Sequence, residues 1–259
     1  MKQGKFLVAA ILATTLGTAA SADPIAVKHT QGAMRGFLVV RSDAGKIIGS
    51  AEFSQVAHGD EVTVRLIYTF LDGSIDDETT TYSQRGTFRL VRDHHIQKGP
   101  FFEKPVDITV DAHTEMVTTR TVDKGGKPAV ENQHMDLPDD LANGFVGTLL
   151  LNVAHNAAPF KVSVLAAAGK GRLVKAAISA EGEQPFHVAG RTLKATVFRI
   201  HPELGGLAGV IAPMIGKEPK DTTVWVLEGE APAVVRIVGQ LDGSGAVIST
   251  ELMGNSFGK

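Results

Sequence analysis

The chain contains no cysteine. That absence excludes disulfide scaffolds, thiolate zinc and iron–sulfur sites, cysteine nucleophiles and lipid anchoring through an N-terminal Cys. An excess of either charge is also missing, since 26 Lys and Arg against 28 Asp and Glu give a formal net charge of -2, with no block of five like charges. A protein that grips a phosphate backbone carries a basic stripe, so nucleic acid is not an expected partner. Metal-site signatures are absent in turn. There is no His-Glu-x-x-His, no His-x-His and no acidic calcium loop with glycine at its sixth position. Gly125-Gly126-Lys127 and Gly169-Lys170-Gly171 lack the Walker spacing and a following helix, so they do not read as phosphate cradles. No cofactor is implied.

What is present begins with an address. Lys2 and Lys5 precede an apolar stretch from Phe6 to Leu16, and Ala20-Ser21-Ala22 forms a small-x-small site before Asp23-Pro24. Residues 1–22 are expected to be a cleaved signal peptide with cleavage after Ala22, and the remainder, 23–259, a β-rich domain of the periplasm. The apolar run is broken by Thr14, Thr15 and Gly17 and is shorter than the ~20 residues of a membrane span. No second such run follows, so no membrane span is expected after signal removal.

From Met34 to about Met135, β-branched residues alternate with polar ones between turn clusters such as Ser42-Asp43-Ala44-Gly45, Ala57-His58-Gly59-Asp60 and Asp72-Gly73-Ser74. Period two with hairpin chemistry reads as a meander of seven or eight antiparallel strands. In Glu61 to Leu71 one face carries Val62, Val64, Leu66, Tyr68 and Phe70, and the other Thr63, Arg65, Ile67, Thr69 and Leu71. A strand fully apolar on one face and half apolar on the other suits a strongly curved sheet. Filled by side chains, the concave side is a core; left open, it takes an apolar ligand.

The period then changes. Leu141, Phe145, Leu149 and Val153 recur at four, after Pro138, Asp139 and Asp140, which predicts an amphipathic helix over roughly Asp139 to Asn156 with acids at its N-terminus. Gly144 and Gly147 weaken such a helix by about 1 kcal/mol each relative to Ala, so another element is expected to pack close there; the alternative is a turn at Asn143-Gly144 with the helix starting later. Strands resume at Phe160 and run, with glycine-rich turns, to Leu252. Leu204 to Gly216 is different, with Leu204, Leu207, Val210, Ile211, Met214 and Ile215 interrupted by four glycines, and it reads as a short helix or an apolar flap. The fold class is therefore mainly β: a large curved antiparallel sheet, half-barrel or open barrel, with one central amphipathic helix and a short apolar flap. A division into two sheet subdomains near 137–158 is the second reading.

Candidate chemistry is sparse. His94 and His95 are adjacent in a strand and point to opposite faces, so they cannot share an ion unless the strand bulges. With Asp93 and His113 they are the weak candidates for a metal or for a metal- or carboxylate-dependent hydrolase, and strand-end solvation is the commoner use. His201-Pro202-Glu203 reads as a strand terminator. Asp76-Asp77-Glu78 reads as loop solvation and Asp139-Asp140 as a helix N-terminus. The stronger candidate surface is apolar: the flap residues above together with Phe145, Leu149 and Val153 of the helix are expected to line or lid a cavity for a lipid-like or other apolar small molecule. A third reading is a structural or assembly module whose sheet edge recruits an envelope protein.

Three segments carry a resemblance: Leu137-Pro138-Asp139-Asp140-Leu141-Ala142-Asn143-Gly144, Ala189-Gly190-Arg191-Thr192-Leu193-Lys194-Ala195 and Thr223-Val224-Trp225-Val226-Leu227. Together with the leader and the strands, they resemble uncharacterised exported proteins of Gram-negative bacteria. Those domains are similar in turn to periplasmic lipoprotein-carrier half-barrels, in which a curved sheet wraps a helix and an apolar cavity holds acyl chains. The resemblance implies that architecture and a non-enzymatic role with a lipid-like ligand. It supplies no catalytic residues.

Overall fold

The computed structural model describes residues 24–122, 126–166, 171–188, 190–203, 219–242 and 245–253. Fourteen strands form one antiparallel sheet: β1 (Met34–Ser42), β2 (Ile47–His58), β3 (Glu61–Phe70), β4 (Ile75–Ser83), β5 (Arg89–Lys98), β6 (Val106–Asp111), β7 (Met116–Val122), β8 (Pro128–His134), β9 (Phe160–Ala166), β10 (Arg172–Val188), β11 (Arg191–Glu203), β12 (Thr222–Leu227), β13 (Ala233–Gly239) and β14 (Ile248–Leu252). The order across the sheet is β8 to β1, then β14 down to β9. Two meanders are thus welded at the middle, where β1 pairs β14 with Leu38 opposite Leu252. This is the curved, antiparallel, mainly β architecture that the period-two pattern predicts. The apolar stretch Leu204 to Gly216, with Leu204, Leu207, Val210, Ile211, Met214 and Ile215, lies outside the described residues.

The helix is much shorter than its apolar spacing predicts. A 3-10 turn over Asn143–Phe145 leads into an α-helix, α1, over Val146–Leu150. Before it, Leu141 N–H closes a turn on Pro138 O, and Asn143 takes φ 35°, a left-handed conformation that Asn tolerates better than other non-glycine residues. After it, Asn152 and Val153 N–H bond to the carbonyls of Leu149 and Leu150, three back rather than four. Nor do acids charge its first turn. Asp139 pairs with Arg89, while Asp140 is buried and faces β9 and β10. The spacing at four records burial on all sides of an inserted segment, with Leu141, Phe145 and Leu149 at 2%, 2% and 4% exposure.

Two further expectations are corrected. The Asp76-Asp77-Glu78 run is inside β4 rather than in a loop. Strand β11 continues through His201 to Glu203, with His201 Nδ1 2.7 Å from Asp221 Oδ1, instead of ending there. Arg172 to Val188 is one long strand, broken only by an irregularity in its pairing between Ala180 and Glu183.

Inward side chains of β3 to β7 and β9 to β12 enclose the helix in one apolar cluster, in which the Tyr82 ring stacks on Phe145 at 4.9 Å between centroids. A second cluster sits under β1, β2 and β3, built on Tyr68, Phe70 and Phe102, with Phe101 stacked on Phe70 at 4.1 Å. Phe53 packs against both. The concave side is therefore occupied mainly by side chains, and burying them is the dominant favourable contribution to the fold.

Candidate functional site

Two places on the concave side depart from plain core. One is a cleft of about 290 Å³ at the C-terminal end of the helix. Its floor is apolar, with Leu150, Leu151, Val153, Phe198 and Val226, and its rim carries Lys28, His29, His155 and Glu228. Asn152 builds the rim. Its side-chain oxygen accepts the backbone N–H groups of Lys28 at 2.8 Å and His29 at 2.7 Å, while its amide donates to Thr148 O, which ties the N-terminal segment to the helix. Gln84 and Gln31 extend the tie: Gln31 N–H donates to Gln84 Oε1 and Gln84 Nε2 to Gln31 O. On the opposite wall the Thr196 hydroxyl donates to Glu228 Oε1, which also lies 3.4 Å from His155 Nδ1. An apolar floor with a few placed polar groups is the ordinary chemistry of a small-molecule site, and the volume sits at the low end of the ~300–1,000 Å³ range for such sites.

Of the residues expected to line a cavity, Val153 lines this cleft and Phe145 and Leu149 do not. Those two are packed in the core beside a space of only about 10 Å³, which also touches Asp140 and Val162. That is room for about one water. Asn152, a buried amide with no apolar signature, was invisible to a search for apolar periodicity.

The second place is polar. Three successive inward cross-strand pairs join β4 to β5: Asp76 opposite Gln97, Glu78 opposite His95, and Thr80 opposite Asp93. On β3 the facing inward residues are Tyr68, Leu66 and Val64. The polar ladder thus lies where the inner surface passes from one apolar cluster to the other. Asp76, Thr80, Asp93 and Gln97 are buried; Glu78 and His95 keep some accessible surface though protein surrounds them. Asp76 accepts from Gln97 Nε2 at 2.6 Å and lies 3.2 Å from His95 Nε2. Asp93 accepts the Thr80 hydroxyl at 2.6 Å on one oxygen and Asn143 Nδ2 at 2.9 Å on the other.

Burial drives the electrostatics of this ladder. Loss of hydration pushes the Glu78 carboxyl up to about 8, with the Asp93 charge adding to the rise and His95 opposing it. Asp93 is raised by burial against its hydrogen bonds from Thr80 and Asn143. For His95 burial works against the cation, but the bond to Asp76 and the carboxyls of Glu78 and Asp93 outweigh it and raise the ring to about 9. Burial thus favours the protonated form of Glu78, and the surrounding carboxyls favour the protonated form of His95 beside Asp76.

The histidines separate as strand alternation requires. His95 points in, while His94 is on the outer face, 3.0 Å from Asp107. His113 is exposed in the turn after β6, where Asp111 Oδ1 accepts Thr114 N–H. Among the described residues no three His, Asp or Glu side chains are grouped to hold a metal. Both Asp93 oxygens are engaged within the protein, so the ladder's arrangement serves to fasten elements together. The ladder itself was readable in one respect: polar residues at 76, 78 and 80 and at 93, 95 and 97 share the period of two that marks an inward face.

No helix among the described residues is long and apolar enough to cross a membrane. No protein-family model matches the chain, and no curated protein matches it. Among solved structures, a beta-barrel-like protein of domain of unknown function DUF1849 from Brucella abortus superposes with a TM-score of 0.47 at 10% identity, covering 86% of this chain and 96% of that one.

Proposed function

We propose that the protein is a non-enzymatic binding protein of the bacterial periplasm that takes an amphipathic, lipid-like ligand into the cleft at the end of the helix. The observation that carries this reading is the cleft's composition: an apolar floor of Leu150, Leu151, Val153, Phe198 and Val226 under a rim bearing Lys28, His29, His155 and Glu228. An acyl tail on that floor removes apolar surface from water at roughly 25 cal/mol per Å², and a charged headgroup stays at the wet rim. Export is supported by the Lys2, Lys5, Phe6–Leu16 and Ala20-Ser21-Ala22 pattern. The apolar residues of Leu204 to Gly216 join this reading from their sequence alone.

Native mass spectrometry of protein purified from the periplasm is expected to show a bound lipid, and decanoate or a lysophospholipid to raise the melting temperature. Val153→Asp places a charge against the apolar floor, so it should abolish the decanoate shift while leaving the far-ultraviolet circular dichroism unchanged. Protein that is empty as isolated and insensitive to both amphiphiles would refute the proposal.

A further inference from the structure

We infer that Glu78 and Asp93, with His95, form a proton-controlled clasp that seats the helix segment 143–150 inside the sheet and loosens it when both carboxyls are ionised. The inference goes beyond the ligand proposal and stands whether or not the cleft is filled.

The geometry comes first. A Cβ added at Gly144 would lie 2.6 Å from Glu78 Cδ and 2.8 Å from its Oε2, so the carboxyl group rests directly on the helix backbone, and only glycine admits that approach. One residue earlier, Asn143 reaches both ways: its amide donates to Asp93 on β5, and its oxygen accepts Leu165 N–H on β9 at 2.9 Å. A single side chain therefore spans from the interior of one meander to the edge of the other, and Glu78 sits beside that span. Asn143 holds its reach at φ 35°.

The surroundings set the sign. The charged or titratable groups facing Glu78 are Asp76 on its own strand, Asp93 and His95 on β5, and the Tyr68 phenol on β3. Strand β3 presents Leu66 and Tyr68, and the segment Asn143 to Leu150 carries no ionisable side chain. His94, on the outer face, adds a weaker field at Asp93. A carboxyl raised from its ordinary 4.5 to about 8 holds its proton in the folded state across that interval, so the seated form loses relative stability as pH climbs through it. The raised His95 acts in the same direction, because its positive charge among Asp76, Glu78 and Asp93 is lost as pH passes about 9. With both changes made, an ionised Glu78 lies against the Gly144 backbone and near Asp93 with no compensating cation beside it.

Hydrogen exchange of the unliganded protein, corrected for intrinsic rates and followed from pH 6 to 9.5, tests the clasp. The expected result is a loss of about tenfold or more in protection for peptides covering residues 141–153 and 160–166, while β1 and β2 stay constant. Glu78→Gln removes the carboxyl's contribution and should lose clearly less protection than wild type between pH 6 and 8, leaving only the smaller decline that His95 imposes. A flat wild-type profile, or a Glu78→Gln variant that loses protection in parallel with wild type, overturns the inference. If Glu78→Gln does not fold, carbon-13 detection of the wild-type side-chain carboxyls decides it: Glu78 titrating well above the ordinary carboxylate range supports the clasp, and Glu78 titrating in that range sinks it.

Discussion

Strand β9 finishes the sheet with its outer edge occupied, whereas β8 finishes it with both faces open. Along β9 the preceding chain supplies what a fifteenth strand would. Ala142 N–H donates to Ser163 O, Ser163 N–H to Asp140 O, and Leu165 N–H to the Asn143 side chain. Asp140 completes the seal by accepting the Ser163 hydroxyl and Lys175 Nζ, each at 2.7 Å. Six of the seven residues of β8 are exposed, and among the described residues no strand pairs with its outer side. An open edge is a template for unwanted pairing, and β8 carries the devices that discourage it: Pro128 at its start, the charge of Glu131 and a polar end of Asn132, Gln133 and His134. One edge is protected by covering it, the other by its side-chain chemistry.

Substitutions should separate the two edges cleanly. Asp140→Ala leaves the Ser163 hydroxyl and Lys175 without their shared acceptor at a site that is 3% exposed, and should cost about 3 kcal/mol in denaturant melts; a loss under 1 kcal/mol would mean the β9 edge is not held there. Asn143→Ala removes the bonds to Asp93 and Leu165 and should cost about 2 kcal/mol. Asn143→Gly loses the same bonds but accepts the positive φ, so it should be milder by roughly 1 kcal/mol, and equal losses would remove strain from the explanation. Gly144→Ala forces a methyl group to within 2.3 Å of the Thr80 hydroxyl, which is already committed to Asp93. An overpacking cost of about 1 to 3 kcal/mol is expected, with peptides across the helix losing exchange protection first. Val130→Lys on β8 should change stability by less than about 0.5 kcal/mol. A larger effect at Val130, which is 61% exposed, would show that the β8 edge is covered by something in solution.

The strands were legible because most turns are marked by Gly, Asp or Ser and the inward face of β3 is apolar at every second residue. The helix was not. Its fourfold spacing of Leu141, Phe145, Leu149 and Val153 combines a residue bridged to β9, a 3-10 turn, an α-helical turn and a cleft residue, because a segment surrounded by sheet is apolar whatever its backbone does. The expectation that Gly144 marks a close approach does hold, and the approaching group is a carboxyl. Gly147 meets only an ordinary contact, with Val234 at 3.6 Å from an added Cβ. Asp76 and Glu78 were misread because the Asp72-Gly73-Ser74 turn stands just before them, and acids after a turn look solvated until the register with His95 and Gln97 is known.

The pairing of β1 with β14 has a consequence for assembly. Each meander is made of neighbours close in sequence and can form its hairpins locally and quickly, but the seam between Leu38 and Leu252 waits for β14, the last of the described strands. Until then two unjoined sheet margins, at β1 and at β14, are open to mispairing. The weld that makes one sheet out of two is thus also the last bond line to close, and the slow step of folding should belong to it.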